Sequence, residues 1–235
     1  MRTLKLSLFA SAMLLGSFTM TAQSADEIMT KHIEAMGGSS WSKVTSMKKT
    51  TSMSMQGMEM QMTETRLKDK GFRTDISVMG TENYVILTPT AGWSYMPMQG
   101  ATKAEPLKAE DMKDAKTQMA IADELAGYKD QGIKAEYVGK EDINGKSAHK
   151  LKLVDKDGDA TTVFIDAATF YKVRDTRKES SPQGEIELTT NYSEFKKFPE
   201  GIVVAMKASN EYQEVTVKDV EINKPVDEKI FSPSN

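Results

Sequence analysis

Between Val44 and Ile222 apolar and polar residues alternate in short runs, and most runs end at a turn containing glycine, asparagine or aspartate. A period of two sets the apolar residues on one face of an extended chain. Tight turns then return each run antiparallel to the last, so the pattern calls for a meandering sheet. Val44–Met55 and Met58–Lys68 are joined by Gln56-Gly57, and Phe72–Met79, Thr81–Thr88 and Trp93–Met98 follow. Later runs are Ile133–Ile143, Ala148–Val154, Ala160–Asp166, Tyr171–Lys178, Glu185–Phe195, Ile202–Tyr212 and Glu214–Ile222. Asn144-Gly145 and Asp157-Gly158 are strong hairpin signals. About ten or eleven strands exceed what one flat sheet carries without curling. The expected fold class is mainly β: a curled antiparallel half-barrel with an N-terminal helix and a lid helix.

Two segments switch to helical period. From about Asp26 to Met36, Ile28, Met29, His32, Ile33 and Met36 share a stripe that Gly37-Gly38 ends. His32 lies among apolar residues there and reads as a packed histidine with a local hydrogen bond, not as a ligand. From about Ala109 to Ala126, Met112, Ala115, Met119, Ala122 and Leu125 recur at three and four, opposite Glu110, Lys113, Asp114 and Lys116. This helix interrupts the meander, so it is expected to lie across a sheet face or mouth as a lid.

The N-terminus reads as an export signal. Arg2 and Lys5 precede an apolar run from Leu6 to Met20, too short and interrupted for a membrane span, and Ala22-Gln23-Ser24 offers small residues for cleavage. The expected organisation is a signal peptide over 1–24 and one domain over 25–235, soluble in the periplasm. Loss of Arg2 and Lys5 moves the net charge from −3 to −5, and an acidic chain lacks the basic face that nucleic acid requires. With no cysteine there is no disulfide, thiolate metal site or acylated N-terminal cysteine, and two histidines make no metal cage.

No catalytic constellation emerges: there is no GxSxG, phosphate-cradling glycine loop or HExxH. An enzyme, a cofactor and a metal are not expected. Asp155-Lys156-Asp157-Gly158-Asp159 faintly resembles a calcium loop but reads as a solvated hairpin tip. The seventeen methionines allow two readings. Met53, Met55, Met58, Met60 and Met62 could form a Cu(I) thioether cluster. Alternatively they make an adaptable apolar surface, which the spread of Met79, Met96, Met98, Met112 and Met119 favours. Alternation puts Met58, Met60 and Met62 on one face with Glu64 and Arg66; Phe72, Ile76 and Val78 share a face in the next strand, and Trp93 with Tyr95 in a later one. A curled sheet lined by these residues under a lid of Met112, Ala115, Met119 and Ala122 suits acyl chains.

Several segments in order carry a family resemblance. They are Ile33-Glu34-Ala35-Met36-Gly37-Gly38, Met53-Ser54-Met55-Gln56-Gly57-Met58-Glu59, Phe72-Arg73, Gly92-Trp93-Ser94-Tyr95-Met96-Pro97, Val138-Gly139-Lys140-Glu141-Asp142-Ile143-Asn144-Gly145 and Lys150-Leu151-Lys152-Leu153. With them the mature chain resembles the LolA/LolB-like periplasmic lipoprotein-carrier superfamily, in its outer membrane lipoprotein-sorting branch. The resemblance implies a half-open barrel with a helical lid that shields lipoprotein or lipid acyl chains, with inner- or outer-membrane envelope proteins as further partners. It also implies that an early-strand arginine latches the lid. Arg66 matches that position, with Leu67 and Lys68 where the carrier has Arg-Pro. The alternative is an interaction or sensor module of the same fold with a filled core.

Overall fold

The computed structural model describes residues 24–55, 58–113, 115–181 and 184–233. Helix α1 (Ala25–Ala35) starts at a capping box: the Ser24 hydroxyl accepts the Glu27 N–H, and the Glu27 carboxylate accepts the Ser24 N–H. Such reciprocal capping satisfies amides that the first turn cannot. Gly37 follows at φ +126°, and a Cβ there would lie 2.9 Å from the Ile202 Cα, so this close crossing admits only glycine.

The strands are β1 (Ser46–Met55), β2 (Met58–Leu67), β3 (Gly71–Val78), β4 (Thr81–Leu87), β5 (Gly92–Tyr95), β6 (Glu105–Pro106), β7 (Lys134–Ile143), β8 (Lys146–Val154), β9 (Ala160–Asp166), β10 (Lys172–Ser181), β11 (Gly184–Lys197), β12 (Val203–Ser209) and β13 (Gln213–Ile222). They form one antiparallel, unclosed sheet of thirteen strands in the order β6-β5-β4-β3-β2-β1-β13-β12-β11-β10-β9-β8-β7. The count exceeds ten or eleven because each of the twelve runs named above becomes a strand, and the two-residue β6, at the edge, is too short to show a period. Two meanders, β1–β6 and β7–β13, are thus sewn together by the β1–β13 pair, with a bulge between Thr50 and Thr51. Asn144 and Gly145 both have positive φ, as the hairpin there requires. In the Asp155 loop, the Asp155 carboxylate accepts the N–H groups of Asp157 and Asp159, so it caps its own hairpin.

This order fixes the role of the segment between β6 and β7. Those strands are opposite edges of the sheet, so residues 107–133 must cross its whole concave face. Among the described residues the expected helix over Ala109–Ala126 is present as α2 (Ala115–Met119), within a strap of turns and bends. A helix advances about 1.5 Å per residue against about 3.3 Å for extended chain, so reach competes with helical propensity. The Asp123 carboxylate also accepts the Leu125 N–H, and such local side-chain bonds compete with a helix.

The concave side is filled at both flanks. Ile28 and Met29 of α1 pack with Leu125 and Tyr128 of the strap on Leu151, Leu153, Val163 and Ile165 of β8 and β9. At the other flank Met112, Ala115 and Met119 pack on Phe72 and Leu87. The convex side of β3–β5 is covered by the C-terminal tail, whose Phe231 packs on Tyr84 and Ile86. Arg73 fastens this tail: its guanidinium donates to the Ile230 carbonyl (3.0 Å) and lies 4.4 Å from the centre of the Tyr84 ring. No helix among the described residues is long and apolar enough to cross a membrane.

Candidate functional site

Between the two filled flanks the strap roofs a cavity of about 510 Å³. Its floor comes from β1, β2 and β10–β13, including Met47, Thr51, Met62, Val204, Ala208 and Val217, and its roof from Gln118 to Ala126. A larger, more open cavity of about 1340 Å³ lies beside it at the mouth, bordered by Met112, Met119 and Leu107. Trp41 and Ala120–Ala122 line both, and so form the partition. Trp41 sits in a 3-10 turn (Gly38–Lys43), and its indole N–H donates to the Met36 carbonyl at 2.9 Å. That same carbonyl accepts the Val203 N–H, which ties α1, the indole and β12 to one point.

Two polar clusters interrupt the apolar floor. In the first, Glu64 lies 2.6 Å from Lys49 Nζ and 3.2 Å from Arg66 Nη2. Burial alone would push the Glu64 carboxyl up, but the two cations hold it below the usual carboxylate range. Arg66 also stacks on Phe72, 4.4 Å from the ring centre, and its Nε donates to the Gln118 carbonyl of α2 at 3.0 Å. In the second, the Lys172 ammonium contacts Glu124 of the strap, lies 3.0 Å from Asp175 Oδ2 and stands 4.2 Å from the centre of the Tyr192 ring. The Tyr192 hydroxyl donates to Asp175 Oδ2 at 2.7 Å. Burial would pull the Lys172 amine down, but Glu124, Tyr192 and Asp175 outweigh it and hold it above the ordinary lysine value. Burial, helped by Glu124 and Asp175, raises the Tyr192 hydroxyl.

The strap is therefore held by polar contacts from both flanks. Besides Arg66 and Lys172, Asp26 of α1 accepts from the Tyr128 hydroxyl and from Lys129, both at 2.7 Å. His32 is fully buried; its Nδ1 donates to the Phe170 carbonyl at 2.8 Å, and its Nε2 lies 3.4 Å from Asp123 Oδ1. It is packed, as expected, but its partners are distant in sequence.

The expected lining residues separate into groups. Met62 lines the roofed cavity. Met60 and Val78 are cross-strand partners, as are Met62 and Ile76, so these four share the concave face. Phe72 lies on that face under Ala115, while Met58, the first residue of β2, is 44% exposed; the expected Gln56-Gly57 turn lies outside the described residues. The methionines are thus strung along β2 at about 7 Å intervals, from the exposed Met58 to the cavity. Met112, Ala115, Met119 and Ala122 of the strap border the mouth, and Ala122 also reaches the roofed cavity.

Trp93 and Tyr95 depart from expectation. They pair with Ile86 and Tyr84 and belong to the convex cluster under Phe231, although Trp93 also borders the mouth cavity. Both faces of β4 are buried, one under the strap and one under the tail, so apolar character did not tell them apart. Trp41, Lys172, Asp175, Tyr192 and Glu124 escaped sequence reading. Alternation does place Val204, Met206 and Ala208 on one face, but charges such as Lys172 and Asp175 in a strand normally mark solvent.

No protein-family model matches the sequence, and no curated protein matches it. Solved structures do. An outer membrane lipoprotein-sorting protein domain from Vibrio parahaemolyticus is 14% identical, with 87% of this chain and 94% of that one covered at a TM-score of 0.58. A LolA superfamily protein from Nitrosomonas europaea is 13% identical, covering 90% and 98% at 0.57. A DUF1329 family protein from Desulfovibrio piger is 11% identical, covering 90% and 98% at 0.58. The thirteen-stranded unclosed sheet with its N-terminal helix therefore has a LolA-like fold.

Proposed function

We propose that this chain is a periplasmic binding protein for lipids or lipoproteins, which holds an acyl chain between the sheet and the strap and works without covalent chemistry. The observation that carries this is the roofed cavity of about 510 Å³, largely apolar and within the range of ligand pockets. The likeness in fold to a lipoprotein-sorting domain supports it. Burial of chain contributes about 0.8 kcal/mol per methylene. Arg66 acts as the latch through its bond to Gln118, and Met119 and Ile121 move aside when a chain enters. Passage of a carrier between envelope membrane proteins is the finer form of this proposal.

Trp41 is the natural reporter. In a Trp93→Phe background, its fluorescence shifts saturably as hexadecanol or a palmitoylated peptide is added. Amide exchange over residues 115–126 rises at the same time, because entry breaks the strap contacts. If no acyl ligand changes either signal, the cavity is closed to chains and the fold serves as an interaction module instead. We further propose that residues 1–24 direct export. N-terminal sequencing of protein from the periplasmic fraction then begins between Gln23 and Asp26, and a start at Met1 in membranes would overturn this.

A further inference from the structure

We infer that the cavity selects acyl chains ending in a single anionic headgroup, carboxylate or phosphate, and that Glu124 of the strap occupies the headgroup's place when the cavity is closed. This deepens the proposed acyl-binding function and rests on it.

Three observations support the inference. First, Lys172 and its partner Glu124 are unequal. The lysine side chain is 7% exposed and belongs to the wall of the sheet, whereas Glu124 is 63% exposed and belongs to the strap. A buried cation that takes a partner from a removable segment loses it whenever that segment lifts. Second, the sheet wall carries more cations than carboxylates. Lys49 and Arg66 share Glu64, and Lys172 keeps only Asp175, which also accepts the Tyr192 hydroxyl, so an open wall holds one positive charge in excess across its two clusters. An uncompensated charge in such a place is costly, and a ligand anion removes that cost. Third, Thr51 also lines this cavity and its Oγ1 is buried with no hydrogen-bond partner. A buried hydroxyl without a partner is a further donor for an oxygen of a ligand that enters this cavity. The surrounding floor of Met62, Ala208, Val215 and Val217 then takes the chain.

The same feature makes Glu124 a competitor. A carboxylate or phosphate head must displace it from Lys172, whereas a neutral head leaves it in place. Closure of the strap and capture of an anionic head are therefore mutually exclusive states of one lysine.

Competition titrations of the whole mature protein with palmitate, hexadecyl phosphate and hexadecanol test this. The wild-type protein is expected to bind one or both anions at least about tenfold more tightly than the alcohol; the two anionic arms show which head fits. In Lys172→Gln/Asp175→Asn, which stays neutral and hydrogen-bonded, the anion's advantage falls to about one. In Glu124→Gln, which removes only the exposed competitor, it rises several-fold. If the alcohol binds as tightly as both anions in the wild type, the headgroup inference fails while acyl binding stands. If none of the three binds, acyl binding fails as well. Should the double variant not fold, Glu124→Gln decides alone, and an unchanged ratio overturns the inference.

Discussion

Replacing Lys172 by methionine is expected to destabilise the protein by about 3–5 kcal/mol, the usual consequence of removing one partner from a buried ion pair. The methionine fills the space of the lysine stem, but Asp175 remains 4% exposed with only the Tyr192 hydroxyl to satisfy it. Its other oxygen already has no hydrogen-bond partner. For a domain of this size the loss lowers Tm by roughly 10 °C. Adding Asp175→Asn to Lys172→Met is expected to recover more than half of it, since the orphaned charge and not the lost attraction is the main cost. Thermal and urea unfolding of the four proteins of this cycle measure it. A Lys172→Met protein within about 1 kcal/mol of wild type would mean that Asp175 is reached by water and that the cluster is not a buried site.

The second large effect concerns binding and runs opposite to stability. Ala208 pairs with Tyr192 on one side and Val215 on the other, and its methyl faces the roofed cavity. Ala208→Trp would place an indole in the roofed cavity, across the space between floor and strap that the chain would take. Filling a void adds contacts, so folding stability is expected to hold or to rise by about 1 kcal/mol. Affinity for hexadecanol should fall by more than a hundredfold, because the chain loses its place and not merely one contact. Urea unfolding and ligand titration on one preparation separate the two quantities. Undiminished binding in Ala208→Trp would move the chain site to the mouth cavity beside Met112 and Met119.

Much of the architecture is carried by local chemistry. Period-two alternation and the turns at Asn144-Gly145 and Asp157-Gly158 specify successive hairpins, and successive hairpins specify a meander. The N-terminal helix is written in its stripe and ended by Gly37, whose positive φ and contact with Ile202 leave no room for a side chain. The stripe from Met112 to Leu125 marked the segment that covers the sheet, because a helical period among strands has nowhere else to bury itself.

Alternation defines two faces but not which of them is concave. In β4 the run Tyr84-Val85-Ile86-Leu87 is apolar on both sides, and only the C-terminal tail, with Phe231 on Tyr84 and Ile86, makes one side convex and takes Trp93 and Tyr95 with it. The strap's path is likewise a long-range matter: β6 and β7 become opposite edges only when β1 pairs with β13, and that span restricts the helix to Ala115–Met119. The Lys172, Asp175 and Tyr192 cluster depends on β10, β11 and the strap meeting. In sequence its charges look like a solvated strand face. Residue periodicity determined the strands and their hairpin pairings, since those depend on neighbours close in the chain; the joining of β1 to β13 and the inside of the molecule were decided by contacts between residues far apart in the chain, such as Arg66 with Gln118 and Lys172 with Glu124, which no local pattern encodes.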